Sequence, residues 1–330
     1  MTVRCIYMGT PEFACPALRA LAADENVSVD LVVTQPDRAS GRGRKLQSPP
    51  VRLVADELGL PVYQTPSLRT LEQRSPIVDL NPDLIVVAAF GLILGRSILD
   101  LPRLGCLNLH ASLLPAYRGA APISAAIANG DVTTGVTLMR MERGLDTGPI
   151  LSARSIDIRQ TDTTESLTAR LGDVAAELLS ASLPDLITGR LPEIQQGEGA
   201  TLTRPLTKAD GWLDWSLPAV ELERHVRAMW SWPRAWTTAK SGEPLQIHAA
   251  SVASSSTAES AEPGTVTVLD GKPAVSTGDG FLVIEQGQFP GGKPQPGSVL
   301  ATRPELQPGS RLGETGRPAA IRPLFVPVED

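Results

Sequence analysis

The first half of the chain alternates short, apolar, β-branched runs with segments that suit helices. Runs at residues 3–8 and 29–34 flank a helix-compatible stretch at 12–22, which is the pattern of a βαβ unit. Further strand signatures lie at 84–88, 105–109 and 135–141, and helix-compatible segments near 50–58, 98–101 and 121–129. This alternation predicts the α/β class, with a doubly wound, mostly parallel, Rossmann-like sheet.

A long amphipathic helix is predicted at 163–183. Thr163 can cap its start, and Pro184 and then Gly189 are expected to close its end. We expect this helix to complete a catalytic domain over residues 1–189. The polar segment 190–210 is rich in proline and glycine and is interpreted as a linker.

Residues 211–330 show a different pattern. Short strand-like runs, separated by turns rich in Gly, Pro and Ser, lie at 245–250, 265–269, 274–277 and 281–285. Their spacing predicts a smaller domain built as an OB-like β-barrel. The loop 253–263 is of low complexity, and the Pro/Gly-rich tail at 304–327 is expected to have little regular structure.

The chain has 330 residues, of which 42 % are hydrophobic and 20 % are charged, so it can bury a substantial core. Arg4 and Glu12 interrupt the apolar residues near the start, which argues against a signal peptide. No stretch approaches the ~20 apolar residues of a membrane span. We therefore expect a cytoplasmic protein without a membrane partner.

The three cysteines are Cys5, Cys15 and Cys106. They lack the spacing of metal ligands, and two of them lie in apolar, strand-like segments. Buried thiols are therefore expected rather than disulfides, and no metal is expected to be bound.

Asn108 and His110 stand two residues apart at the end of an apolar run that is predicted to be a strand. On an extended backbone both side chains leave the same face and can converge on one small group. Polar residues at the carboxyl end of a strand are where α/β sheets place their sites. Downstream, Asp146 lies between Gly144 and Gly148 and could join them.

These three side chains suit acyl transfer to an amine. Asn108 can donate to an oxyanion, His110 can move protons, and Asp146 can orient the imidazole. Because the sequence lacks a serine or cysteine in a nucleophile elbow, direct transfer through a ternary complex is favoured over an acyl-enzyme. Taken singly, His110 could be a buried structural histidine and Asp146 a turn aspartate, and the combination is more specific than its members.

A basic run follows the second predicted strand. It contains Arg38, Arg42, Arg44 and Lys45, and taken alone such a run is usually a solvated loop. The formal net charge of −6 argues against a uniformly basic surface, so any RNA contact must be local. The turn at 9–11 lacks the spaced glycines of a dinucleotide fingerprint, which argues against a nicotinamide enzyme.

All five tryptophans lie between positions 212 and 236. They could pack between the two domains or could form a stacking platform for RNA bases. The sequence does not separate these two interpretations.

The chain resembles the methionyl-tRNA formyltransferase family over nearly its whole length. The segments that carry the resemblance are 9–14, 34–38, 41–46, 90–94, 108–115, 118–123 and 144–148. The resemblance implies transfer of formyl from 10-formyltetrahydrofolate, as co-substrate, to the α-amine of methionyl initiator tRNA, for the initiation of translation.

The resemblance also implies roles for individual residues. The family's catalytic Asn, His and Asp correspond to Asn108, His110 and Asp146. Its turn that contacts folate corresponds to Ser112, Leu113, Leu114 and Pro115. Its loop that inserts into the acceptor end of tRNA corresponds to Arg38, Arg42, Arg44 and Lys45. The segment 90–94 resembles the lining on the pterin side.

Three alternatives stay open. A folate-dependent formyltransferase acting on a small amine, such as glycinamide ribonucleotide or an amino-sugar nucleotide, would use the same three residues. A formyl-folate hydrolase would reuse the site with water as the acceptor. A folate-binding or RNA-binding module without activity would not need the three side chains. A monomer is expected.

Overall fold

The first half of the chain folds around a seven-stranded sheet and the second half around a six-stranded sheet. A computed structural model describes residues 2–40, 45–253, 261–319 and 322–328. In chain order, the strands of these residues are β1 (Val3–Gly9), β2 (Val27–Thr34), β3 (Arg38–Ser40), β4 (Lys45–Gln47), β5 (Val62–Gln64), β6 (Leu84–Ala88), β7 (Cys106–His110), β8 (Arg118–Gly119), β9 (Thr133–Arg140), β10 (Ile150–Asp157), β11 (Thr201–Thr203), β12 (Ala235–Thr238), β13 (Pro244–Ala253), β14 (Val266–Leu269), β15 (Lys272–Ser276), β16 (Phe281–Gln288), β17 (Gln295–Pro296) and β18 (Phe325–Pro327). The helices are α1 (Cys15–Ala23), α2 (Pro50–Glu57), α3 (Leu71–Val78), α4 (Arg96–Leu99), α5 (Pro122–Asn129), α6 (Thr164–Ile187), α7 (Ala219–Ala228) and α8 (Gly297–Leu300).

The large sheet has the strand order β10-β9-β7-β6-β1-β2-β5. Strands β5, β2, β1, β6 and β7 run parallel, whereas β9 is antiparallel to β7 and β10 is antiparallel to β9. The prediction of a mostly parallel sheet is confirmed. The run expected at 135–141 is β9, which is the strand that reverses direction.

Alternate side chains of β1 enter two cores, one on each face of the large sheet. Cys5 and Tyr7 pack with leucines of α1 and α6. Ile6 and Met8 pack with isoleucines of α3 and α4. Both faces are therefore covered by helices, and the sheet is doubly wound as expected.

Helix α6 begins as the sequence indicates and ends later. The side chain of Thr163 accepts a hydrogen bond from the Ser166 N–H, and the two residues form a capping box. The predicted end at residue 183 is too early, because α6 passes Pro184 and continues to Ile187, whereas Gly189 does follow directly after the C-cap residue Thr188. Proline removes only its own N–H, and the extra turn keeps Leu186 buried in the core.

The second half of the chain forms an antiparallel sheet with the order β12-β13-β16-β15-β14, in which β17 pairs with β16. The four strand-like runs of the sequence lie in β13, β14, β15 and β16. Helix α7 packs on this sheet and on α5 of the first domain. Helix α7 therefore contacts elements of both halves of the chain.

The tryptophans make mostly internal contacts. Trp212 and Trp215 are buried, and the rings of Trp212 and Trp236 meet edge to face with their centroids 4.9 Å apart. The Trp230 indole N–H donates to Glu165, at the start of α6, over 2.6 Å. These contacts agree with packing within and between domains, and Trp232 is 58 % exposed. A stacking role toward RNA stays a prediction.

The segment 190–210 makes regular contacts with the first domain. Ile194 forms a β-bridge with Ile150, and β11 lies between β8 and β18 in a three-stranded sheet. The tail therefore contains a short strand, Phe325–Pro327, that returns to the first domain, and otherwise has little regular structure in its described residues, as expected. The boundaries at 189 and 210 stay a prediction.

The three cysteines are free and buried. Burial raises the pKa of Cys15 and of Cys106 to about 12, so both thiols stay protonated at neutral pH. This finding agrees with the interpretation of buried thiols. Within the described residues, no helix combines the length and the apolar character needed to span a bilayer.

We expect His225 to make the free energy of unfolding depend on pH. Burial lowers the pKa of this α7 histidine from 6.5 to about 4, and its Nε2 has no hydrogen-bond partner among the described residues. The unfolded chain therefore takes up a proton that the folded chain refuses, and stability falls as the pH drops from 6.5 toward 4. Between these two pH values, the free energy of unfolding of the His225→Leu variant should fall by about 1–3 kcal/mol less than that of the parent. Urea titrations at several pH values measure the difference, and equal losses in both proteins would contradict it.

Candidate active site

Asn108 and His110 occupy the carboxyl end of β7, between parallel β6 and antiparallel β9. The alternation of the strand places both side chains on one face, as the sequence predicts. Asn108 is 8 % exposed and His110 is 6 % exposed. Buried polar groups need partners, and these partners define the site.

Asp146 reaches the two side chains from the loop between β9 and β10, where its φ is 53°. Its Oδ1 accepts a hydrogen bond from Asn108 Nδ2 at 3.2 Å. Its Oδ2 accepts a hydrogen bond from the Gly119 N–H at 2.8 Å. The structure thus brings Asn108, His110 and Asp146 together and holds the carboxylate between two N–H donors.

The protonation of His110 follows from its neighbours. Nε2 lies 2.9 Å from the carbonyl oxygen of Tyr117, which can only accept, so Nε2 carries a hydrogen. In the neutral ring Nδ1 is then a free base, 3.7 Å from Oδ2 of Asp146. This distance is too long for a hydrogen bond, but it lets the carboxylate stabilise a proton that Nδ1 acquires.

Tyr117 is held in an unusual conformation, with a φ of 57°. Its hydroxyl donates to Asp131 at 2.7 Å and accepts from Asn129 at 3.0 Å. Its N–H donates to Oγ1 of Thr201 in β11 at 2.7 Å. The carbonyl that fixes His110 is therefore itself fixed by several contacts.

The turn at 112–115 is tightly bonded to itself. Ser112 is fully buried, and its hydroxyl donates to the Ala116 carbonyl at 2.6 Å. Leu114 is also buried, whereas Leu113 and Pro115 are half-buried. Of the four residues predicted to contact folate, Leu113 and Pro115 are therefore the accessible ones.

A cavity of about 470 Å³ lies beside Cys106, the first residue of β7. Cys106 precedes Asn108 by two residues, so both lie on the same face of β7. The cavity is lined by Arg96, Leu99, Asp100, Gly105, Cys106, Arg140, Met141, Glu142 and Arg143. Its size is within the range of about 300–1,000 Å³ that small-molecule sites have.

The loop at 90–94 is tied to the end of β2. The Phe90 carbonyl accepts hydrogen bonds from the side chains of Gln35, at 2.8 Å, and Thr10, at 3.1 Å. Phe90 is buried, whereas Ile93 is 91 % exposed. The loop therefore presents Ile93 to solvent while its start is fixed to two strand ends.

Two of the four predicted tRNA-binding residues, Arg38 and Lys45, lie in the strand pair β3 and β4. Arg38 is exposed and donates a hydrogen bond to Gln35. Lys45 begins β4. Arg42 and Arg44 lie outside the described residues.

Gln196 is a residue of the site that the sequence analysis missed. Its Nε2 donates to the carbonyls of Asp146, at 2.7 Å, and Gly148, at 2.8 Å. Its Oε1 accepts two hydrogen bonds from the Arg118 guanidinium, at 2.7 and 3.0 Å. A lone amide in a polar segment shows no periodicity, so the sequence held no signal for this contact.

Comparison with known proteins identifies the family of the chain. Residues 1–183 match the family model described as formyl transferase, and residues 205–304 match the model of its C-terminal domain. A methionyl-tRNA formyltransferase of Ectopseudomonas mendocina is 45 % identical over 95 % of this chain and 99 % of its own length. One of Methylococcus capsulatus is 48 % identical over 88 % of this chain and 93 % of its own. The chain belongs to the methionyl-tRNA formyltransferase family.

Solved structures with lower identity share the fold of this methionyl-tRNA formyltransferase family member. An N-formyltransferase from Helicobacter canadensis, in complex with folinic acid and dTDP-3-aminofucose, is 18 % identical, with a TM-score of 0.63, over 86 % of this chain and 98 % of its own. HypX from Aquifex aeolicus, in complex with tetrahydrofolic acid, is 16 % identical, with a TM-score of 0.59, over 91 % of this chain and 47 % of its own.

We expect Gln196→Ala to lower kcat of formyl transfer about tenfold, because the loop that carries Asp146 loses two hydrogen bonds worth about 0.5–1.5 kcal/mol each. Gln195→Ala, which changes an exposed neighbour, is the matched control and should keep the parental kcat. Steady-state kinetics of both variants measure the effect. Equal kcat values for the two variants would contradict the role of Gln196.

Proposed function

We propose that this site transfers a formyl group from 10-formyltetrahydrofolate directly to the α-amine of methionyl initiator tRNA. Membership in the family supplies the reaction and the acceptor. The observation that carries the mechanism is the convergence of Asn108, His110 and Asp146, with the Nδ1 lone pair of His110 available as a base.

In the proposed reaction, the amine nitrogen attacks the formyl carbon and the bond from that carbon to the folate nitrogen breaks. Nδ1 of His110 takes the proton that the amine loses and returns it to the departing nitrogen. Asp146 stabilises the imidazolium formed in between, and Asn108 donates to the developing oxyanion. Such roles need no bound metal, so we propose that none takes part.

Transfer without an acyl-enzyme is supported by the state of two candidate nucleophiles, Ser112 and Cys106, which lie two residues from His110 and from Asn108 along the chain. Ser112 is fully buried, and its hydroxyl donates to the Ala116 carbonyl. Cys106 keeps its proton, because burial raises its pKa to about 12. Neither group is an activated nucleophile, which favours direct attack by the amine.

The folate co-substrate is assigned to the cavity beside Cys106 together with the turn at 112–115. Cys106, which lines the cavity, lies on the face of β7 from which Asn108 projects, and the lining includes residues 141–143, which lead along the chain to Asp146. Leu113 and Pro115, which follow His110 along the chain, offer apolar contacts, with Ser112 and Leu114 shaping the turn. A bound formyl group between these two regions would lie next to Asn108.

The tRNA is assigned to the basic segment 38–45, which contains Arg38, Arg42, Arg44 and Lys45. Four cations in a short segment can neutralise phosphates locally in a chain whose net charge is −6. Arg42 lies between two glycines, which allow close approach of the backbone to a partner. This local arrangement agrees with an acidic chain that binds RNA.

We also propose that the second domain is an OB-like barrel and that the protein acts as a monomer in the cytoplasm, where translation starts. Strand β13 has ten residues and shifts its register against β16 between Ile247 and Ala250. Bulges of this kind bend strands at the corners of barrels.

We expect His110→Ala to lower kcat by at least about 100-fold, because the proton carrier is lost. The Kd for the formyl-folate should stay nearly unchanged, since the imidazole does not hold this substrate. Rates of formylation of charged tRNA and a binding titration measure the two effects. Activity within a few-fold of the parent would contradict the role of His110.

The same assay distinguishes the acceptors. The parental protein should formylate methionyl-tRNA and leave glycinamide ribonucleotide unchanged. Formylation of the ribonucleotide alone would favour a small-amine formyltransferase, and release of formate without transfer would favour a hydrolase.

We expect Arg42→Ala to reduce kcat/KM for the charged tRNA by a factor that corresponds to about 1–3 kcal/mol of transition-state stabilisation, the scale of one directed base contact. The dependence on salt should become less steep, because one phosphate contact fewer releases fewer counterions. Arg69→Ala, at an exposed arginine outside the basic segment, is the control. Kinetic titrations with tRNA at several salt concentrations measure both effects. If Arg42→Ala and the control had equal kcat/KM values and equal salt dependence, the role of Arg42 would be contradicted.

A further inference from the structure

The tail of the chain returns to the strands that support Asp146. In the three-stranded sheet, β18 pairs antiparallel with β11, and β11 pairs parallel with β8. Phe325 lies opposite Thr203, and Thr203 lies opposite Gly119. The N–H of Gly119 is the donor that holds Asp146. A strand from the tail is therefore two strands away from a backbone group of the active site.

A second contact joins the tail to the partner of His110. The Phe325 ring meets the Tyr117 ring edge to face, with the centroids 5.3 Å apart and the planes at 88°. The two rings form a small apolar cluster with Ala125 and Ala126 of α5. Edge-to-face pairs of this kind contribute about 0.5–1.5 kcal/mol beyond the area that they bury.

The conformation of Tyr117 makes this contact consequential. A non-glycine residue with a φ of 57° is strained by about 1–2 kcal/mol, so the residue stays there only while its surroundings hold it. The hydroxyl and the N–H are held by Asp131 and Thr201, and Phe325 supports the ring. Relaxation of Tyr117 would turn its carbonyl away from Nε2 of His110.

The tail is also anchored just before the strand. The Arg204 guanidinium donates to the carbonyls of Arg322, at 2.7 Å, and Pro323, at 3.2 Å. The same guanidinium pairs with the buried Asp210 carboxylate. A charge-assisted anchor of this kind fixes the position at which β18 begins.

We propose that β18 is a positioning element of the active site, which acts through Phe325 on Tyr117 and through β11 on Gly119. Phe325 is thereby a positioning residue: it keeps the Tyr117 carbonyl on the imidazole of His110. As far as turnover is concerned, this inference rests on the proposed function. The support of the imidazole can be measured without any substrate.

The test compares Phe325→Ala with Val326→Ala, which shortens an exposed side chain on the same strand. We expect Phe325→Ala to lower kcat about tenfold, because the Tyr117 carbonyl supports His110, the proposed general base. The KM values for tRNA and for folate should change less than about twofold, because neither substrate is assigned to Tyr117. Phe325→Leu, which keeps apolar bulk, should restore most of kcat. Val326→Ala should match the parent.

A spectroscopic measurement separates this inference from the proposed function. The Nε2 proton of His110, assigned by its loss in His110→Gln, should exchange with solvent at least about ten times faster in Phe325→Ala than in Val326→Ala. All variants are compared well below their unfolding midpoints. Unchanged exchange together with unchanged kcat would overturn the proposal, and so would a raised KM for tRNA with unchanged kcat. If the parent formylates no tRNA, the proposed function fails while the exchange result still decides the role of β18.

Discussion

The arrangement of the site depends on the hydrogen bonds that the carboxylate of Asp146 accepts. One oxygen accepts from Asn108 on β7, and the other accepts from the Gly119 N–H on β8. The loop that carries the carboxylate is tied to the segment after α6 through Gln196. A single anion thus connects segments that are distant in the chain. Hydrogen bonds to a charged group are worth about 1.5–3 kcal/mol each, which is enough to hold these segments in one arrangement.

The features that depend on local pattern could be predicted from the sequence. The two-residue spacing of Asn108 and His110 predicted that both side chains lie on one face of a strand, and the structure confirms this arrangement on β7. The alternation of apolar runs with helical segments indicated the doubly wound sheet, and Thr163 marked the start of α6. In each case the cause acts over a few residues: the pleat of a strand, the burial of two faces, or a cap that satisfies free N–H groups.

The features that depend on distant contacts could not be predicted. Gln196 bonds to carbonyls that any residue possesses, so its partners leave no trace in the pattern. The tail was expected to have little regular structure because it is rich in proline and glycine, and that composition gave no sign that three residues of it would pair with an open edge of β11. Pro184 was expected to end α6, but the apolar residues beyond it gain more from burial in the core than the missing hydrogen bond costs.

The pairing of β18 with β11 also bears on the order in which the protein matures during its synthesis. Strand β18 leaves the ribosome after all strands of the second sheet, while its partner β11 precedes that sheet. Domains fold as units during translation, so the first sheet and its helices can assemble early. The backing of Tyr117 then waits for a contact of long sequence separation, which forms slowly. A nascent chain can therefore hold Asn108, His110 and Asp146 together before their support is in place.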